Sequence, residues 1–304
     1  MTNNTNLNLD LKGISRPLTK LIEVVGQGIG KVYEPVGTII QAKADASARL
    51  TTAKAEIAET ELWHRANARL MHIELERQKN LEAIIDTARL ALPEQVSSEP
   101  VDKDWTTHFF EAAKDVSDTD MQTLWARILA GEITEPGTTS RRTLEFLKTL
   151  SKAEAEMFVV LLSVSFAIHP GGWRFIILGK GTSEKIKEAT GGGDVVRHMA
   201  DIGILGSEST MVDVNKIKEW RLKYGNEIYR FDSPLTVRIS DIDLRFPGKL
   251  ITIHYFSAIG QEVSNVATQK SYVGFVEDVS RYLNEDVDVS IEKTAAEETS
   301  PPVA

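Results

Sequence analysis

The chain contains no cysteine. Disulfides, thiolate nucleophiles and cysteine-based zinc sites are excluded together. It also lacks any run of about eighteen uncharged apolar residues, the length that an α-helix needs to span a bilayer. Residues Met1 to Asp10 are rich in Asn and Thr and have no basic segment leading into an apolar one, so no signal peptide is expected. Positive charge is in short supply as well. There are 35 Lys and Arg against 44 Asp and Glu, a net charge of -9, with a pI near 5.3. Nucleic-acid binders are normally basic, so nucleic acid is disfavoured as a partner. These absences together point to the cytoplasm, with peripheral attachment to the inner membrane as the alternative.

One further lack is local. From Thr38 to Leu92 there is neither proline nor glycine, and the stretch is filled with Ala, Glu, Lys, Arg, Gln and Leu. These are strong helix formers. As one helix it would reach about 80 Å, longer than an ordinary domain. It reads as an arm or spacer. Its first half, Gln41 to Ala58, is Ala-rich and buries little area. Its second half carries Leu62, Trp63, Leu70, Met71, Ile73, Leu81, Ile84 and Ile85. The heavy half is expected to dock on the module that follows while the Ala-rich half projects or self-associates.

At 304 residues and 42% hydrophobic, the chain can build more than one core. The expected order is a disordered leader (1–12), an amphipathic helix (13–37), the long arm (38–92), a linker (93–103), a helical module (104–168), an α+β domain (169–283) and a disordered acidic tail (284–304). The amphipathic helix has a stripe at Leu18, Leu21, Val25, Ile29, Val32 and Val36 with helical spacing. It reads as a face for a partner helix, with a membrane surface as the alternative. Gly26 and Gly30, with Gly28 between them, mark a place for close packing.

In the middle module, Trp105, Phe109, Phe110 and Ala113 form one apolar stripe, and Met121, Trp125, Ile128 and Leu129 form another. Gly131 is the expected helix end. Thr119 with Gln122, and Ser151 with Glu154, have capping-box spacing. Trp105, Trp125, Glu132 and Arg141 are the candidates for a partner-binding groove, against a structural role for the same residues.

No residues with catalytic spacing emerge, so no catalytic residue, metal ligand or cofactor is assigned. The six histidines lack H-E-x-x-H or H-x-H spacing, and no nucleophile elbow is present. Gly179 to Ser183 has the form of a turn into a helix N-terminus. The tail of the chain from Trp173 reads as strands and short helices. The run His198-Met199-Ala200-Asp201-Ile202-Gly203-Ile204-Leu205, then strands, then Phe256-Ser257-Ala258-Ile259-Gly260, resembles a winged-helix element. The fold class expected is therefore α+β, mainly α, with a long N-terminal helix, a helical module and a C-terminal winged-helix-like α/β domain.

Arg77-Gln78-Lys79-Asn80, Asp104-Trp105, the run from Trp125 to Glu132, and Ser140 to Leu150 together resemble an uncharacterised bacterial family of the domain-of-unknown-function type. The layout is similar, more distantly, to the abortive-infection alpha family. That resemblance implies a bacterial protein with a part in phage defence or stress, and it brings no catalytic residues. The function expected is a non-enzymatic interaction protein, a homo-oligomer with a protein partner. A membrane-active effector using residues 14–40 and a DNA-binding regulator are the alternatives.

Overall fold

The computed structural model describes residues 15–29, 57–213, 220–232, 250–284 and 290–294. The chain divides into two compact units, Met1–Thr149 and Leu150–Ala304. The division falls earlier than the expected boundary near residue 168, and the arm shares a unit with the helical module. The Ala-rich half of the arm as far as residue 56 lies outside the described residues, as do Val32 and Val36.

The described part of the first unit is helical: α1 (Arg16–Ile29), α2 (Ile57–Ala91), α3 (Lys103–Ala113), α4 (Thr119–Thr134) and α5 (Arg141–Thr149). Helix α2 has 35 residues and so is about 52 Å long. Pro93 stops it. The start of α3 is fixed by Asp102, whose carboxylate accepts the Trp105 N–H at 2.7 Å. The core gathers Trp105, Phe109, Phe110, Trp125, Ile128, Leu129, Leu144 and Leu147 with Leu81, Ile84 and Ile85 from α2, all buried. Phe109 stacks on Trp105 at 5.2 Å and meets Trp125 edge-on at 5.4 Å.

Two expected helix boundaries shift. Asp118, not Thr119, caps α4, accepting from the N–H groups of Asp120 and Met121. A carboxylate one residue earlier is a stronger acceptor at the positive end of the helix. Gly131 does not end α4, which runs on through Thr134. Ile133 is buried, and that gain exceeds the cost of one helical glycine, about 1 kcal/mol.

The second unit is α+β. Helices α6 (Lys152–Ser163), α7 (Lys180–Thr190), α8 (Val195–Asp201), α9 (Ala258–Val266) and α10 (Phe275–Leu283) accompany seven strands. The strands are β1 (Phe166–Ile168), β2 (Arg174–Leu178), β3 (Leu205–Asp213), β4 (Trp220–Tyr224), β5 (Glu227–Asp232), β6 (Leu250–Phe256) and β7 (Ser290–Thr294). They form one sheet in the order β3-β6-β2-β1-β4-β5-β7, with every pairing antiparallel.

The Ser151–Glu154 capping box is present at the start of α6. The helix ends at Ser163, because Phe166–Ile168 pairs as a strand on both sides. Gly179 starts α7 without a side-chain cap, within the stretch expected to turn into a helix. A Cβ at Gly179 would lie 2.7 Å from the Tyr282 ring, so close packing decides that boundary. Gly191 closes α7 at φ +73°. The tail expected to be disordered from residue 284 contains β7, whose Ile291 faces Phe231 of β5. The acidic composition of the tail is outweighed there by backbone pairing to an open sheet edge.

Candidate functional site

Helix α1 places its apolar face on its own unit. Leu21, Val24 and Val25 are buried against α3 and α4. Leu18 and Ile29 are half-buried at the flanks. The centre of the face therefore lies closer to Val24 than the stripe from Leu18 to Ile29 implies. Gly28 permits the contact, since a Cβ there would sit 1.9 Å from Phe110 Cδ2. Lys20 is the residue that the stripe does not reveal. It is buried within the apolar face, and its Nζ donates to the carbonyls of Ile133 at 2.8 Å and Ser97 at 3.2 Å. An ammonium at the last turn of α4 meets the negative end of that helix. Burial is the first cause that holds its pKa below the ordinary lysine value, followed by Arg16. The signal for it in the sequence is a lysine inside an apolar stripe.

The segment Arg77 to Asn80 locks α2 onto the turn between α3 and α4. Arg77 grips Asp115 through Nε at 2.7 Å and Nη2 at 3.3 Å, and reaches Glu74 at 2.7 Å. Asn80 Nδ2 donates to the Lys114 carbonyl at 3.0 Å, and its Oδ1 accepts from Gln122 at 3.3 Å. Gln122 also donates to the Val116 carbonyl at 2.9 Å. These bonds satisfy carbonyls left open where α3 ends. The hydrogen bonds that Arg77 donates to Asp115 and Glu74 raise its pKa above the ordinary arginine value.

The four groove candidates separate. Trp105, Glu132 and Arg141 line one cavity of about 630 Å³ together with Pro100, Asp102 and Lys103. Trp125 is fully buried and does not line it. Its ring fills the core against Phe109, so it is no groove residue. Trp105 is itself buried and donates its indole N–H to the Thr139 carbonyl at 2.8 Å. Glu132 is 2% exposed and holds the turn after α4. It accepts from Gly137 N at 2.7 Å, Thr139 N at 3.1 Å and the Thr138 hydroxyl at 3.3 Å. Desolvation pushes its pKa up against those hydrogen bonds. Arg141 is exposed, 3.8 Å from Asp104. The cavity is thus framed by groups already engaged in holding the 135–140 turn.

Residues 64–280 match the sequence profile of a family described as a protein of unknown function (DUF2806). The chain belongs to that family. No curated protein and no solved structure matches it. The DUF2806 match begins within α2 and ends within α10. It contains the Arg77–Asn80 lock, the Glu132 turn and most of the second unit, and α1 lies before it.

A different surface is open. Along α2 from Thr60 to Glu76 no residue is buried. Leu62 and Trp63 are each 61% exposed and Leu70 is 53% exposed. At 100° per residue, Leu62, Trp63, Ala66, Leu70 and Ile73 fall on one side of the helix. The heavy half of the arm is therefore split. Leu81, Ile84, Ile85 and Ala88 dock, whereas Leu62 to Met71 do not. Among the described residues, no group of three or more His, Asp or Glu could hold a metal ion. None of the described helices is long and apolar enough to cross a membrane.

Proposed function

We propose that this DUF2806 protein is a non-enzymatic interaction protein that self-associates through the exposed arc of α2. One observation carries the reading: three large apolar side chains stand in water on one side of a helix whose other end is docked. A second copy is the occupant that fits. In an antiparallel pairing about the point between Ala66 and Asn67, Trp63 meets Leu70 of the partner subunit, twice over, with Leu62 at the flank of the same arc. Such an isologous contact closes on itself and gives a dimer rather than a filament. Burying each Trp and Leu contributes about 1.5–3 kcal/mol.

The distant similarity to the abortive-infection alpha family supports a role for this assembly in phage defence or stress, as a sensor or effector. The burial of Leu21, Val24 and Val25 favours protein contact over lipid for α1. Light scattering on the purified chain tests the assembly. The expected result is a dimer that Trp63→Glu with Leu70→Glu converts to a monomer without loss of helix content. A monomeric wild type, or a variant of unchanged mass, overturns it. Plating phage on cells with and without the wild-type or monomeric chain then tests the role, protection by the wild type alone being the expected outcome.

A winged-helix-like reading of the second unit is favoured by the order β3-β6-β2, with α6 ahead of β2 and α7 and α8 between β2 and β3. The helix in the recognition position, α8, has few free cations. Arg197 lies 3.9 Å from Asp201, and His198 lies 3.2 Å from Glu154. Phosphate contacts need free cations, so a protein surface is the better assignment for α8. A gel shift on sheared genomic DNA that retards the chain would reverse that assignment.

A further inference from the structure

Three strands in the middle of the sheet bring two cations into one row. In the pairing of β1 with β2, Ala167 faces Arg174, and in the pairing of β1 with β4, Ala167 faces Lys223. Directly opposed residues share a face of the sheet. Arg174, Ala167 and Lys223 therefore form a cross-strand row, with the outer two backbones about 10 Å apart. The methyl of Ala167 leaves the space between two long side chains open. The alternate face is hydrophobic: Phe166 and Phe175 are buried there, and Phe166 stacks on Phe275 of α10 at 5.4 Å.

The open face is a cavity of about 520 Å³. Its lining includes Arg174, Lys223, His169, Gln261, Asn265 and Trp173, and no Asp or Glu. That is notable in a chain with nine more acidic than basic residues. Gly172 closes one wall. A Cβ there would come within 2.5 Å of Ile168 Cβ, and the Gly172 N–H donates to the Ile168 carbonyl at 2.8 Å, so the turn folds tightly back. At the rim, Trp173 is 57% exposed.

Arg174 is built into this wall without a counter-charge. Its Nη1 donates to the Ser165 hydroxyl at 3.1 Å and to Gln269 Oε1 at 3.0 Å, both neutral. Its Nε is enclosed and has no hydrogen-bond partner. Its backbone N–H is held by Gln261 Oε1 at 2.9 Å. Burial holds its pKa below the ordinary arginine value, but the group remains a cation at neutral pH. Among the described residues no carboxylate pairs with it. A half-buried guanidinium, positioned by neutral bonds and left without an anion, is costly unless an anion is supplied from outside.

From this geometry we propose that the cavity over the Arg174–Ala167–Lys223 row binds a small phosphate-bearing molecule, with Arg174 and Lys223 flanking the phosphate. Arginine forks suit tetrahedral oxyanions. Lysine adds a mobile point charge. The cavity volume lies in the range of small-molecule sites. Trp173 offers a flat apolar surface at the rim for an aromatic group carried by the ligand. The proposal stands apart from self-association through α2.

Calorimetric titration of the full chain with pyrophosphate at low salt tests it. Saturable binding is expected. Arg174→Gln should weaken it by about tenfold or more, the scale of a lost charge-assisted contact. Lys223→Gln should weaken it several-fold. Lys223 is exposed, so its variant keeps the test valid if Arg174→Gln does not fold. Arg281→Gln, an exposed charge on α10, should bind as the wild type. Titration with AMP beside pyrophosphate separates the sources. If Trp173→Ala weakens AMP alone, the phosphate arrives on an aromatic carrier. If it weakens neither, the phosphate group itself is the ligand. Wild type that takes up no pyrophosphate, an unchanged affinity in both Arg174→Gln and Lys223→Gln, or an equal loss in Arg281→Gln overturns the proposal.

Discussion

Two glycines two residues apart in α1 predict opposite responses to the same substitution. Both lie in the described helix Arg16–Ile29. Replacing a helical glycine by alanine removes backbone freedom from the unfolded chain and stabilises by about 1 kcal/mol when the site has room. Gly26 has room, for a Cβ there meets nothing within 4 Å. Gly28 does not, since its Cβ would lie 1.9, 2.4 and 2.9 Å from three ring atoms of Phe110. That ring cannot swing aside freely. Phe110 is buried and meets Phe109 edge-on at 5.3 Å, and Phe109 in turn touches Trp105 and Trp125. Overpacking of this kind costs about 3 kcal/mol at the upper end of its usual range. Gly28→Ala is therefore destabilising by about 2 kcal/mol after the propensity gain, and the two variants differ by about 3 kcal/mol. In a unit of this size each kcal/mol moves Tm by about 2–4 °C, so the pair should separate by about 6–12 °C. Thermal unfolding followed by circular dichroism reads it directly. If both variants shift Tm the same way and by similar amounts, α1 does not dock on α3 through Gly28, and its apolar face is free for another partner.

Asn80→Ala strips the Lys114 carbonyl of its donor and Gln122 of one acceptor, and should cost about 1–2 kcal/mol, seen as a lower urea midpoint at unchanged slope. Glu132 gives a pH test. Burial raises its pKa above the ordinary 4.5, so the folded chain keeps this proton where the unfolded chain has lost it. The associated stability is complete below about 4.5 and is lost as pH rises through the folded value. The wild-type unfolding free energy minus that of Glu132→Gln should then fall with rising pH, and a flat or rising difference contradicts the assignment.

Punctuation by single residues was legible from the chain alone. The box of Ser151 with Glu154 and the end of the long helix ahead of Pro93 depend on residues a few positions away, and the structure keeps them. So was the existence of a helical half and a mixed half. Misplacements occurred where distant packing overrode a local preference. Gly131 stays helical because Ile133 is buried beyond it, and residues 290–294 form a strand because β5 offers an unpaired edge. The groove candidates divide for the same reason: composition could not tell that Trp125 fills the core whereas Arg141 stands in water.

By itself the sequence determined the punctuation of the helices, the amphipathic character of α1 and the absence of cysteine chemistry. All of these depend on residue type and near neighbours. Only the tertiary structure decided that α1 faces Phe110, that the middle of α2 is left exposed, and that Arg174 and Lys223 stand in one row across Ala167. Those two cations are 49 positions apart in the numbering, and no local pattern encodes their meeting. Strand register brings them together, and register is set by which faces of three separate strands the hydrophobic core accepts.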